Sequence, residues 1–254
     1  MGFFKAFSSN KQRVKTGFAL LGLILLVGLI DNFFVMWAFL GLVYIIAFQE
    51  SLKLFEIRDT SLMLYAFITW ILAGFYPYGD DLFILMGVAY ASAVAFNTNL
   101  TWKNFLPFIY PTAGMLFIFT MYQEYGVISL LWLLVLVAMT DVGAYTVGKN
   151  IGKTPFCKTS PNKTMEGVLG GIAVATISGM FLGLSIVDWN ISLVISFFVA
   201  TSSIFGDLYE SSLKRKAGVK DSGNILPGHG GVLDRIDGYL FGGIVMLVLL
   251  RGLV

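Results

Sequence analysis

Four aspartates, Asp141, Asp207, Asp234 and Asp237, stand close to a set of basic residues in the second half of this chain. Asp234 and Asp237 are spaced i and i+3, so on a helix they share one face. Two carboxylates that close repel unless a cation lies between them, and a hard divalent ion such as Mg²⁺ prefers oxygen ligands. Asp207 is placed to complete such a site and Asp141 to stand near it. An acidic first turn that complements a helix dipole has the same spacing, so the pair alone leaves both readings open. Between Asp207 and Asp234 lie Lys214, Arg215, Lys216, Lys220 and Asp221, then Pro227-Gly228-His229-Gly230-Gly231. Bases beside a metal-binding acid cluster suit a polyphosphate, whose charge they neutralise as a phosphoryl group transfers. Glycines let backbone N–H groups approach phosphate oxygens. A positive loop that meets anionic lipid and a tight glycine turn are the plainer alternatives. His229, Lys149 and Lys153 are the further candidates for ligand contact.

Two weaker signals are set aside. Residues 148–154 read GKNIGKT, but counting back from Gly152 puts Val147 where a phosphate-binding P-loop needs its first glycine. The single cysteine, Cys157, has no second cysteine for a disulfide and no neighbouring histidine for zinc.

The elements that must position these residues are membrane helices. The chain has 254 residues, 57% hydrophobic and only 13% charged, against about 25% charged in soluble domains. Most of its surface must therefore face lipid. A net charge of +2 gives no reason to expect nucleic acid as a partner. Taking about 20 residues per crossing, the apolar segments predict nine spans, at 14–30, 33–49, 61–77, 82–98, 105–122, 127–147, 167–187, 191–209 and 238–254. The first is read as a retained helix, because no small-residue cleavage site follows Ile30. Pro107 and Pro111 predict irregular first turns in the fifth span. With the N-terminus inside, 16 of the 17 basic residues fall on the cytoplasmic side, and Arg251 alone falls outside. The outer loops hold Asp31, Asp80, Asp81, Glu124 and Asp188. The expectation is an all-α polytopic membrane protein of about nine transmembrane helices, N-in and C-out. It forms a single domain over 1–254, in which helices in 1–138 precede a catalytic half in 139–254. Half of all charged residues fall in 140–166 and 206–237, both on the inner side. Gly167, Gly171, Ala175, Gly179 and Gly183 form a small-residue stripe that admits a close helix neighbour and permits a homodimer.

The stretch 211–237, SSLKRKAGVKDSGNILPGHGGVLDRID, resembles the C-terminal signature of phosphatidate cytidylyltransferases, also called CDP-diacylglycerol synthases. The matching elements are a serine, Lys-Arg, Lys-Asp, His-Gly-Gly and Asp-Arg-x-Asp. Gly206-Asp207-x-x-Glu210-Ser211 fits as well. Asp141-x-Gly143-Ala144-Tyr145, Gly148-Lys149, Ser160-Pro161-x-Lys163-Thr164 and Glu166-Gly167 resemble the family's second motif. Met165 departs where tryptophan is common, and Gly238 where serine is common.

The resemblance implies that CTP and phosphatidic acid are the substrates and that CDP-diacylglycerol and pyrophosphate are the products. It implies Mg²⁺, with room for a second cation, on Asp141, Asp207, Asp234 and Asp237. Lys214, Arg215, Lys220 and Asp221 join Asp207 in the catalytic set, with Lys149, Lys163, Ser211, His229 and Arg235 around the substrates. The expected location is a bacterial plasma membrane, with the active site facing the cytoplasm. A phosphatidyltransferase would carry an Asp-Gly-x-x-Ala-Arg stretch. A transporter would place charge near the midplane of several spans.

Overall fold

The computed structural model describes residues 2–97 and 100–254, with side chains from residue 15 onward. The side chains of Lys5, Lys11 and Arg13, and the expected end of the fourth span at Thr98, lie outside it. Eight helices follow in order: α1 Gly2–Ile30, α2 Phe33–Leu54, α3 Leu62–Phe75, α4 Asp81–Phe96, α5 Ala113–Ile151, α6 Met165–Gly183, α7 Trp189–Lys216 and α8 Leu233–Leu253. No strand occurs among the described residues; there are only isolated bridges, Pro155 with Thr164 and Leu226 with Gly230.

Among the described residues, five helical runs are long and apolar enough to cross a membrane: Phe33–Leu54, Trp102–Ile151, Met165–Gly183, Trp189–Lys216 and Leu233–Leu253. The third and fourth expected spans are the shorter apolar helices α3 and α4, of 14 and 16 residues. Large apolar side chains such as Leu29, Phe75 and Phe96 cover the outside. Trp132, Tyr44, Phe48 and Phe119 fill the interior. The irregular entry to the fifth span is present: a 3₁₀ turn at Trp102–Phe105 leads into a π turn at Phe108–Thr112, where Tyr110 leaves helical geometry.

A straight helix of the length of α5 would reach nearly 60 Å, twice the hydrocarbon core of about 30 Å. Gly126 breaks it, with φ 70° and ψ −176°, a conformation that suits glycine. Ser129 Oγ donates to the carbonyls of Gly126 at 2.7 Å and of Met121 at 3.2 Å. Residues eight apart in a straight helix stand about 12 Å apart, so the chain turns back on itself. The packing on α8 shows the reversal. In the first arm Gly114 meets Leu240 and Ile118 meets Gly243; in the second Leu133 meets Gly242 and Val137 meets Gly238. The two arms, 113–125 and 127–151, thus run in opposite senses along one helix.

The small-residue stripe of α6 packs against the second arm of α5. A Cβ added at Gly171 would stand 2.6 Å from the Thr140 carbonyl oxygen, and one at Gly179 would stand 2.2 Å from the Leu136 side chain. The stripe is filled within the chain. This close pairing holds the Asp141 end of α5 beside the start of α6 and the loop that carries Lys163.

Candidate active site

Helix α7 runs past Tyr209 to Lys216, and that extension builds the site. Asp207, Glu210, Ser211 and Lys214 follow at helical spacing and share one face. Ser211 Oγ lies 3.3 Å from Asp207 Oδ1. Lys163, from the loop before α6, pairs with the other oxygen of Asp207. Lys214 Nζ stands 2.6 Å from Glu210 Oε2 and 2.6 Å from Asp234 Oδ1. Both of those acids are buried, so Lys214 ties the end of α7 to the start of α8.

Asp234 faces the glycine loop. Its Oδ2 accepts from Gly231 N at 2.7 Å, Ser222 N at 2.9 Å and Ser222 Oγ at 3.0 Å. With Lys214 on Oδ1, this carboxylate is fully engaged by protein groups. Asp237, one turn on, keeps different company: its Oδ1 accepts from Gly238 N at 2.8 Å, and it interacts electrostatically with Asp207 and Glu210. Asp141 interacts with Asp207, Lys163 and Arg235. The expected quartet is therefore divided. Asp141, Asp207 and Asp237 belong to one electrostatic cluster, and Asp234 adjoins it through Lys214 and Glu210.

Among the described residues, no three His, Cys, Asp or Glu side chains form a ready-made metal site. The donor set nevertheless suits a hard cation. Glu210 Oε1 is buried with no hydrogen-bond partner among the described residues, and it belongs to a carboxylate that interacts electrostatically with that of Asp237. Two carboxylates that interact in this way need a shared proton or a cation between them. The Tyr110 hydroxyl, also buried without a hydrogen-bond partner among the described residues, interacts electrostatically with Glu210, Asp237 and Asp207.

Beside the acids, the loop encloses a cleft of about 540 Å³ lined by Lys220, Asp221, Asn224, His229 and Arg235 together with Gly223, Gly228 and Gly230. That volume is within the range of small-molecule sites. Positive φ at Gly228 and Gly230 folds the loop around it. Arg235 Nε donates to the His229 carbonyl at 3.1 Å, and Thr16 Oγ1 of α1 donates to the Pro227 carbonyl at 3.1 Å. Lys220, Asp221, His229 and Arg235 are thus brought together as expected.

Lys149 and Arg215 are not brought into this arrangement. Lys149 is exposed, with its ammonium 5.6 Å over the Tyr145 ring. Arg215 is exposed on α7. Lys216, about 200° around the helix from Lys214, lines a second cleft with Lys103 and Tyr209.

The sequence reading missed Glu50. It is 1% exposed and lies near the end of α2, in the half of the chain expected only to precede the catalytic part. Its Oε1 accepts from Val232 N at 3.1 Å; its Oε2 accepts from Leu233 N at 2.8 Å and lies 3.1 Å from Ser222 Oγ. The available signal was an acid in the last turns of a long apolar helix, where burial of charge is costly. Glu210 was visible as part of a motif but was not among the expected ligands.

The sequence model of one family, described as "Cytidylyltransferase family", matches residues 11–253. A Helicobacter pylori protein named phosphatidate cytidylyltransferase is 43% identical over 244 residues, which cover 95% of this chain and 92% of that protein. A Bacillus subtilis protein of the same name is 45% identical over 123 residues, 47% of this chain and 46% of its own length. An Arabidopsis thaliana relative named phosphatidate cytidylyltransferase 5, chloroplastic, is 45% identical over 122 residues, 46% of this chain and 30% of its own length.

Proposed function

The chain belongs to the cytidylyltransferase family, and from that membership we propose that the glycine-loop cleft and the adjoining acid cluster together form its catalytic centre. The protein transfers the cytidylyl group of CTP to phosphatidic acid, giving CDP-diacylglycerol and pyrophosphate. The observation that carries the site assignment is the adjacency of a cationic, glycine-lined cleft to carboxylates that protein cations only partly neutralise.

In this reading, a phosphatidate phosphate oxygen attacks the α-phosphorus of CTP in line. The bond from that phosphorus to the bridging oxygen breaks, and pyrophosphate leaves with the electron pair. The nucleophile is already ionised, so no strong general base is required. Lys220, His229 and Arg235 bind CTP phosphates in the cleft, assisted by backbone N–H groups of the glycine loop. Lys163 and Lys214 hold Asp207 and Asp234 in place and bring positive charge to the reacting phosphates. Mg²⁺, when bound, neutralises charge on the transferring group. Asp207 and Asp237 would hold it with Asp141, and Glu210 joins that set; Asp234 contributes through Lys214. A second cation would draw on the same acids.

We place this centre at the cytoplasmic headgroup level of a bacterial plasma membrane, N-in and C-out, with nine crossings when the arms of α5 count separately. Contacts at the opposite end of the bundle support this. Arg251 pairs there with Asp80 and Glu124, and Tyr122 donates to Asp31. All three acids were assigned to outer loops. A homodimer would need a surface other than the α6 stripe, which α5 fills.

Purified protein in mixed micelles is expected to release pyrophosphate only when CTP and phosphatidate are both present. EDTA should abolish the release and added Mg²⁺ should restore it. Release without phosphatidate would overturn the substrate assignment, and indifference to EDTA would overturn the cation.

A further inference from the structure

We infer that Glu50 is a positioning residue for cytidylyl transfer, its buried carboxylate fixing the glycine loop and the first turn of α8 in register with the acid cluster. The inference rests on the functional reading above and extends it to the N-terminal half of the chain.

Helix α8 starts without a side-chain cap of its own: Val232 occupies the N-cap, and its side chain has no acceptor for the first-turn N–H groups. Glu50 supplies that acceptor from α2, taking the N–H groups of Val232 at 3.1 Å and Leu233 at 2.8 Å. A carboxylate there also complements the positive end of the helix dipole. The next residue of that turn is Asp234, so its position follows from the anchor.

The loop glycines provide an independent observation. Gly223 and Gly231 are not among the glycines with positive φ, so backbone conformation does not demand them. Space does. A Cβ at Gly223 would stand 2.2 Å from Glu50 Oε1, and one at Gly231 would stand 2.5 Å from Glu50 Oε2 and 2.2 Å from Ser222 Oγ. The loop is shaped around this carboxylate.

Ser222 then couples the anchor to the site. Its hydroxyl lies 3.1 Å from Glu50 Oε2 and 3.0 Å from Asp234 Oδ2, and one hydroxyl proton serves two carboxylates. From Asp234 the chain of contacts continues through Lys214 to Glu210 and Asp237. Displacing Glu50 therefore moves the cleft wall and the α8 acids together. A Gln at position 50 keeps the size but turns an amide donor toward backbone N–H donors.

The test is Glu50→Gln and Glu50→Asp in the full-length protein in micelles, with initial rates and hydrogen–deuterium exchange of residues 222–233. Glu50→Gln should lower kcat at least tenfold and raise the KM for CTP while leaving the KM for phosphatidate within twofold. Exchange in 222–233 should rise, and elsewhere it should match the parent. Glu50→Asp, which keeps the charge, should recover part of kcat. Gly223→Ala should cost activity in the parent and little more in a Glu50→Ala background, because the clash is then gone. Parental kcat and KM in Glu50→Gln would overturn the inference. So would a rate loss that tracks global unfolding and disappears on cooling, or Gly223→Ala costs that are equal in both backgrounds. If the parent itself made no CDP-diacylglycerol, the functional reading would fail, while exchange in 222–233 would still report whether Glu50 anchors the loop.

Discussion

Ion pairs between segments far apart in sequence close both ends of the helical bundle. At one end Arg251 spans Asp80, through Nη1 at 2.6 Å and Nη2 at 3.1 Å, and Glu124, through Nε at 3.0 Å. Its guanidinium also lies 5.7 Å from the centroid of the Tyr78 ring. That fork engages both acids around one cation. At the other end Lys163 takes Asp207, and Lys214 takes both Glu210 and Asp234. Among the described residues Asp237 has no lysine or arginine in ion-pair contact, though Lys214 acts on it electrostatically, and Glu210 keeps a buried oxygen without a donor. Helix α8, about 30 Å long at 1.5 Å per residue, carries Asp234 and Asp237 at one end and Arg251 at the other. The same interaction thus serves two ends. Where the acids are satisfied it clamps the fold; where they are left in excess, we propose, it makes a place for a cation and a polyphosphate.

The contrast can be broken from either end. The largest effect is expected from Asp237→Asn, which removes a carboxylate that Lys214 influences electrostatically but does not pair with. Turnover should fall by about 10²–10³-fold, while the elution profile and melting temperature stay near those of the parent. Lys214→Met should act on both activity and stability, because it strands Glu210 and Asp234. Breaking a buried pair in this way costs about 3–5 kcal/mol, readable as a lower unfolding midpoint in detergent. Arg251→Met, at the clamped end, should cost about 1 kcal/mol, since its pairs are partly exposed, and should leave kcat within about twofold of the parent. A large kcat loss in Arg251→Met would erase the distinction between the ends. The smallest effect is expected from Lys149→Ala, whose ammonium sits over Tyr145 outside the cluster; CTP and phosphatidate kinetics should stay within about twofold.

The all-helical membrane character was legible because apolar run length is a direct reading of bilayer thickness. The charged windows pointed to the loop in which Lys220, Asp221, His229 and Arg235 line one cleft. Arg215 was grouped with them by proximity in sequence, and Lys149 by its lysine-rich segment and the resemblance of Gly148-Lys149 to the family's second motif. Helix direction then separates Arg215 and Lys216 from Lys214, one and two residues away. The role of Glu50, though not its oddity as an acid near the end of an apolar helix, was out of reach for a different reason. Its partners lie 172 to 183 residues away, and nothing local to α2 announces them.

By itself the sequence determined that the chain is helical and lipid-facing and which loops carry its charge, because length, hydropathy and residue type act locally. It also carried the motif by which the family is known. Only the tertiary structure decided that α5 turns back at Gly126, that the α6 stripe is filled by its own chain, and that Asp234 faces the loop while Asp237 interacts with Asp207 and Glu210. Those outcomes depend on which buried donors meet which acceptors across the bundle. A buried carboxylate takes the partner that packing brings within about 3 Å, whatever the distance along the chain.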